Sequence, residues 1–230
     1  MNEFFMGSSF FAVFISLLGY EIGIFLRKKT GLPLFNPLLC AIVFVIAVLL
    51  IFRVDYVVYE EGSSLLSYFL TPSTVALAIP LYRQFSILKK HAVAILAGIF
   101  SGVLVSLGAT LLLAVLCRLS HSEYVTLLPK SVTTAIGMSV SGELGGVVTI
   151  TVAAIVLTGI FGNMAGSFIC RMFHIKEKVA VGLAMGTSSH SIGTVRAMEI
   201  GEIEGAMGTL AIVVSGLFTV ILANIFAMFW

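Results

Sequence analysis

The sequence predicts an all-α, polytopic membrane helix bundle, with about six full spans and two broken or re-entrant polar segments arranged as an inverted repeat. Three observations predict it. Hydrophobic residues fill 59% of the 230 positions and charged residues only 10%, against roughly 25% charged in soluble domains. Uncharged apolar runs recur at about 20 residues, the helix length that crosses a bilayer. Two polar stretches match each other at a spacing of 56 residues. A soluble fold of this size could not hide so much apolar surface, which excludes a soluble enzyme.

The apolar runs are 4–26, 34–52, 64–82, 92–117, 147–170 and 206–229. The first is long enough to span, begins near Glu3 instead of a basic cluster, and is followed by Arg27, Lys28 and Lys29. That order reads as a retained helix rather than a cleaved signal peptide. Glu21 lies close enough to the basic end to snorkel or pair there. Pro72 and Pro80 interrupt backbone hydrogen bonding in the third run and are expected to kink it or line a cavity. Gly98, Gly102 and Ser106, and likewise Gly162 and Gly166, fall four residues apart, so these faces admit close helix approach. With the N-terminus outside, nine of the 13 Lys and Arg residues fall in cytoplasmic loops. The expected orientation is therefore N-out and C-out. The whole chain, 1–230, reads as one membrane domain: helices in 1–122, then repeat units at 123–178 and 179–230.

Several chemistries are not expected. The net charge of +2 shows no basic stripe for nucleic acid. Cys40, Cys117 and Cys170 lie far apart, in neither a disulfide framework nor a metal spacing. No P-loop, metal-spaced His pair or Ser/His/Asp arrangement is present, so no cofactor, metal or catalytic site is expected.

The repeat carries the functional argument. Thr133-Thr134-Ala135-Ile136-Gly137 matches Ser189-His190-Ser191-Ile192-Gly193, and Glu143-Leu144-Gly145 matches Glu199-Ile200-Gly201 at the same offset. One full span separates the copies, so they enter the membrane from opposite faces, as in many secondary transporters. Gly-, Ser- and Thr-rich backbone is tolerated at membrane depth only inside protein or along a water-filled cavity. The two stretches are therefore expected to form a shared binding site. Half-helix N-termini suit an anionic ligand.

The candidate substrate-binding residues are Lys130, Thr133, Thr134, Ser188, Ser189, His190 and Arg196. Arg196 offers a planar fork for a carboxylate; its alternative is a pair with Glu199 or Glu143. His190 could bind or relay a proton, or be a hydrogen-bonded structural histidine. Lys130 could place charge in an outer vestibule or be a solvated interfacial lysine. Glu143 and Glu199 are candidates for proton or ion coupling, with interfacial acids as the alternative. Glu202 and Glu204 are expected at the aqueous margin.

The strings LTPSTVALAIPLYRQ (70–84), LPKSVTTAIGMSVSGELGG (128–146) and GTSSHSIGTVRAMEIGEIEGAMGTLA (186–211) resemble the bacterial LrgB/CidB family of membrane proteins. Ala135 stands where the family commonly has Pro. The resemblance implies two functions. One is a holin- or antiholin-like factor that modulates murein hydrolase activity and lysis, beside a smaller LrgA/CidA-type membrane partner. The other is a carrier of glycolate, glycerate or pyruvate. The repeat and its charges favour the carrier, with a small organic anion and the lipid bilayer as partners. Whether the chain forms a homo-oligomer is left open.

Overall fold

Local sequence signals set the helix ends. The computed structural model describes residues 9–31 and 35–230, so the first turn of the predicted 4–26 span lies outside the described residues. Helix α1 runs Ser9–Thr30 and ends on Arg27, Lys28 and Lys29, where cations suit the helix C-terminus. Asn36 caps α2, Pro37–Phe52, by accepting from the backbone N–H groups of Leu38 and Leu39. Arg53, in the left-handed region, closes it. These two signals hold α2 to 16 residues, or about 24 Å. It is thus a shorter apolar helix beside the five segments among the described residues that are long and apolar enough to cross a bilayer, one of which, Ser64–Arg83, is a run of short helices.

The chain falls into two compact units, Met1–Ala76 and Leu77–Trp230. In the first, α1 meets α2 at glycines four residues apart. A methyl group on Gly23 would lie 2.6 Å from Pro37 Cα, and one on Gly19 would lie 2.9 Å from Phe44 Cδ1. Short helices α3, Tyr56–Gly62, α4, Ser64–Tyr68, and α5, Leu70–Ala76, complete it. Tyr59 and Ser16 share a hydroxyl–hydroxyl bond of 3.0 Å.

The second unit begins with α6, Ala78–Arg83. Pro72 and Pro80 each occupy the third residue of a new helix, α5 and α6, where a missing N–H costs little. Helix α7, Phe85–Cys117, carries a non-helical residue at His91. The basic stretch before the predicted 92–117 span is therefore helical rather than irregular. Next come α8, His121–Leu127, and α9, Thr134–Glu143. The remaining helices are α10, Val148–Met172, α11, Lys178–Ile200, and α12, Glu202–Ala227. All described regular structure is helical. Large apolar side chains such as Leu112 and Leu157 are exposed on α7 and α10, the surface a hydrocarbon solvent requires.

A capping box opens α8: the Ser120 backbone N–H donates to Glu123 Oε2 at 2.7 Å, and Ser120 Oγ accepts from the Glu123 N–H. The Ser120 N–H, and its hydroxyl second, hold the Glu123 carboxyl below the usual carboxylate range. A depressed pKa stabilises the folded state above the unfolded carboxylate pKa, and that contribution is lost as pH falls through the folded value. Glu123→Gln is therefore expected to flatten part of the acid-side loss of stability, read from thermal melts between pH 6 and about 3.

A close backbone contact in the second unit joins α11 to α12. A methyl on Gly182 would lie 2.8 Å from Met207 Cβ, and one on Gly186 would lie 2.8 Å from Ala211 Cβ while overlapping the Gly208 carbonyl oxygen. Small residues spaced by four let the two backbones touch. The predicted small-residue faces also meet α11: Gly98 faces Leu183, Gly102 faces Thr187, Gly162 faces Ser189 and Gly166 faces Met185.

Candidate functional site

Both polar stretches are broken. Residues 128–133 form turns between α8 and α9, with Thr133 extended ahead of the new helix. Helix α11 breaks at Ser189 and His190, the latter at φ 42°, ψ −136°. A non-glycine residue there is strained and must be held by its surroundings. The holding groups come largely from α10. His190 Nε2 lies 3.1 Å from the Ile155 carbonyl oxygen and Nδ1 lies 3.2 Å from Ser191 Oγ. Facing a carbonyl, Nε2 carries the proton, and Nδ1 accepts from the serine. Asn163 Nδ2 donates to the Ile192 carbonyl at 2.9 Å. Close approach needs glycine here: a methyl on Gly159 would sit 2.9 Å from His190 Nε2, and one on Gly162 would overlap the Ser189 side chain.

The two copies pack reciprocally. After each break comes a short helix, then a turn at Gly145 or Gly201, then a long helix of 25 or 26 residues. A methyl on Gly216 of α12 would lie 2.8 Å from Ile136, while one on Gly159 of α10 would lie 2.7 Å from Ile192. Ile136 and Ile192 are equivalent positions of the 56-residue repeat. Each repeat thus seats its isoleucine on the other's long helix, the mutual exchange that a two-fold relation produces.

A cavity of about 960 Å³ opens beside the second break. Residues of α7, α10 and the first half of α11 line it, together with Lys130 and Ser131, and its other titratable groups are His91 and Glu177. Lys130 Nζ donates to Ser106 Oγ at 3.2 Å and Thr110 Oγ1 at 3.0 Å, and Ser106 Oγ lies 3.0 Å from Ser131 Oγ. Lys130 is half-buried. Among the described residues no carboxylate reaches ion-pair distance of it. Such an ammonium has no counter-charge at contact distance, and among the described residues its third proton has no acceptor.

Of the residues singled out in the sequence, Lys130, Ser188 and Ser189 line this cavity, whereas Thr133, Thr134, His190 and Arg196 do not. Thr133 starts α9 and Thr134 is its first residue. Arg196 departs from the expected central position. Its Nη1 pairs with Glu199 Oε2 at 2.5 Å and its Nε donates to Ser167 Oγ at 3.3 Å. One helical turn separates arginine and acid, so the local pair forms. Glu143 and Glu199 are exposed near the ends of their short helices. Glu202 is exposed and faces Arg83 at 3.7 Å. Glu204 corrects the expectation of an aqueous position: it is buried in the first turn of α12, its carboxylate folded over Gly201, where the helix N-terminus favours negative charge. Sequence reasoning missed Thr110 and Ser131. Thr110 gave a weak signal because the small-residue spacing on α7 read only as a packing face, and Ser131 because it lies in the turns before α9.

Residues 16–229 match the LrgB-like family. The Antiholin-like protein LrgB of Bacillus subtilis (strain 168) is 38% identical over 220 residues, 95% of each chain. The proteins of the same name from Bacillus mycoides (strain KBAB4) and Bacillus cereus (strain B4264) are each 35% identical over 221 residues, 96% of each chain. No solved structure matches the chain.

Proposed function

Because this chain belongs to the LrgB-like family, we propose that it is an antiholin-like protein of the bacterial cell membrane that restrains murein hydrolase activity and lysis. Likeness along nearly the whole chain to relatives named antiholin-like carries this reading. Helices long and apolar enough to cross a bilayer support the location. A smaller LrgA/CidA-type membrane protein is the proposed partner, self-assembly a further one, and the charge bias supports N-out, C-out insertion. The test is autolysis of cells lacking the chain. Faster lysis, reversed by restoring the gene, supports the role; an unchanged lysis rate speaks against it.

The cavity supports a second reading, of what the protein does at the molecular level. It is a secondary carrier of small monocarboxylates of the glycolate, glycerate or pyruvate type. The observation that carries it is Lys130, an ammonium bonded to two hydroxyls in the lining of a cavity beside a helix break. An ionisable group at membrane depth is a functional group by default. Ser188 and Ser189 supply hydroxyls from the other repeat. Thr133, Thr134 and His190 shape the two breaks. Glu143 and Glu199, both solvent-facing, are the acids proposed to exchange a coupled proton. The two readings are compatible, since flux of organic acids alters the conditions under which cells lyse. Uptake of labelled pyruvate or glycolate into proteoliposomes tests the carrier. Because Arg196 lies outside the cavity lining and is paired with Glu199, Arg196→Ala is expected to leave that uptake largely unchanged. A complete loss would return the guanidinium to the binding site.

A further inference from the structure

The second polar stretch turns back on itself. On its first arm Gly182 lies against Glu204 and Met207, and Gly186 against Gly208. On its second arm Thr194 lies against Gly208, and Met198 against Gly205. Both arms of α11 therefore flank the same opening turns of α12, with the break at Ser189 and His190 as the tip. Its two ends return to one face of the membrane, the face of the loop that carries Arg171 and Lys176.

The cavity has a direction along this hairpin. Gly98 of α7 faces Leu183 and Gly102 faces Thr187, so α7 and the first arm run side by side in the same sense. On that register Glu177 is level with Ala92, next to His91. Both titratable groups line the cavity and are exposed, which marks its outer end. Ser106, to which Lys130 donates, lies about 21 Å beyond Ala92 at roughly 1.5 Å per residue. That is deep in a hydrocarbon core of about 30 Å.

The two repeats differ in residue size where access is decided. Ala180, Ala184 and Ser188 line the cavity at a spacing of four. Their counterparts 56 residues earlier are Tyr124, Leu128 and Val132, all three buried. Tyr124 and Leu128 pack in one core with Leu107 and Ala114, and the Tyr124 hydroxyl donates to the Phe226 carbonyl at 2.9 Å. Small side chains leave space along one hairpin, and large ones fill it along the other.

We infer that the cavity is a one-sided vestibule. Water and solutes reach Lys130 from the face of the 171–178 loop, past Ala180 and Ala184, while Tyr124, Leu128 and Val132 close the way to the opposite face. That an acid enters by this route rests on the carrier reading; the one-sided access does not.

The test uses full-length protein in oriented membrane vesicles, with Cys40, Cys117 and Cys170 replaced by alanine, or by serine as a second background. Single cysteines then meet a charged, membrane-impermeant thiol reagent applied to one face at a time. Lys176→Cys marks the loop face. Ala184→Cys is expected to react from that face and not from the other, and Ser101→Cys on α7 to do the same. Val132→Cys, close in size to the original residue, is expected to stay unmodified from both faces. Reaction of either Val132→Cys or Ala184→Cys from the opposite face overturns the inference. So does an Ala184→Cys protein that reacts from neither face, because the cavity then opens to lipid and not to water. Pyruvate uptake into the same vesicles is expected to stop once Ala184→Cys is modified. If the unmodified protein takes up no acid, the carrier reading falls, and the labelling pattern still decides the vestibule.

Discussion

Replacing Lys130 with glutamine is expected to abolish saturable anion uptake while leaving the protein folded and at least as stable. The ammonium is half-buried, bonded to Ser106 and Thr110, and without an acid at ion-pair distance among the described residues. Glutamine can keep hydrogen bonds to both hydroxyls, so removing the charge relieves desolvation without orphaning a partner. For an anion in the cavity the balance reverses. A charge-assisted hydrogen bond contributes about 1.5–3 kcal/mol. The attraction of the full charge in a low-dielectric site adds to it, so affinity should fall by about 100-fold or more. Lys130→Arg retains charge with a bulkier fork and should keep part of the activity. Initial uptake rates against acid concentration, beside melting curves, check the three proteins. Uptake unaltered in the glutamine variant would leave the cavity without a role in transport.

Gly186→Val is expected to produce the largest loss of stability. A Cβ there overlaps the Gly208 carbonyl oxygen and comes to 2.8 Å of Ala211 Cβ. Backbone, unlike the end of a flexible side chain, cannot step aside, so α11 and α12 must separate. Overpacking typically costs 1–3 kcal/mol. Opening this helix pair also strips the dispersion contacts of Gly182, Met207 and Ala211, and the sum should reach roughly 3 kcal/mol or more. That is a large share of a total stability of about 5–15 kcal/mol. Low yield of monodisperse protein and a lowered melting temperature are the expected readings. Gly98→Ala is the control: its nearest neighbour, Leu183 Cδ1, would lie at ordinary contact distance, 3.7 Å.

The bilayer-spanning character, the paired breaks and the small-residue faces on α7 and α10 were legible because each leaves a one-dimensional signature. Length, spacing by four and a spacing of 56 residues need no knowledge of side-chain direction. What a guanidinium or an imidazole faces is another matter. Arg196 looked like the centre of the site because cations at membrane depth are rare, yet Glu199 one turn away meets it. His190 looked like chemistry, and its ring is tied to the Ile155 carbonyl from 35 residues upstream. Lys130 was among the residues singled out, but the hydroxyls that frame it come from α7. That contact depends on how distant elements pack. Glu204 was placed by its neighbours in sequence, whereas its burial follows from the turn at Gly201.

Counterflow in proteoliposomes tests the proposed carrier activity most directly. Vesicles loaded with unlabelled pyruvate and diluted into trace labelled pyruvate should accumulate label transiently, at a rate that saturates with acid concentration and collapses in Lys130→Gln. Passage that is non-saturable, tolerant of solute size and indifferent to Lys130 would contradict it, and would leave a membrane protein whose cavity takes no part in moving anions.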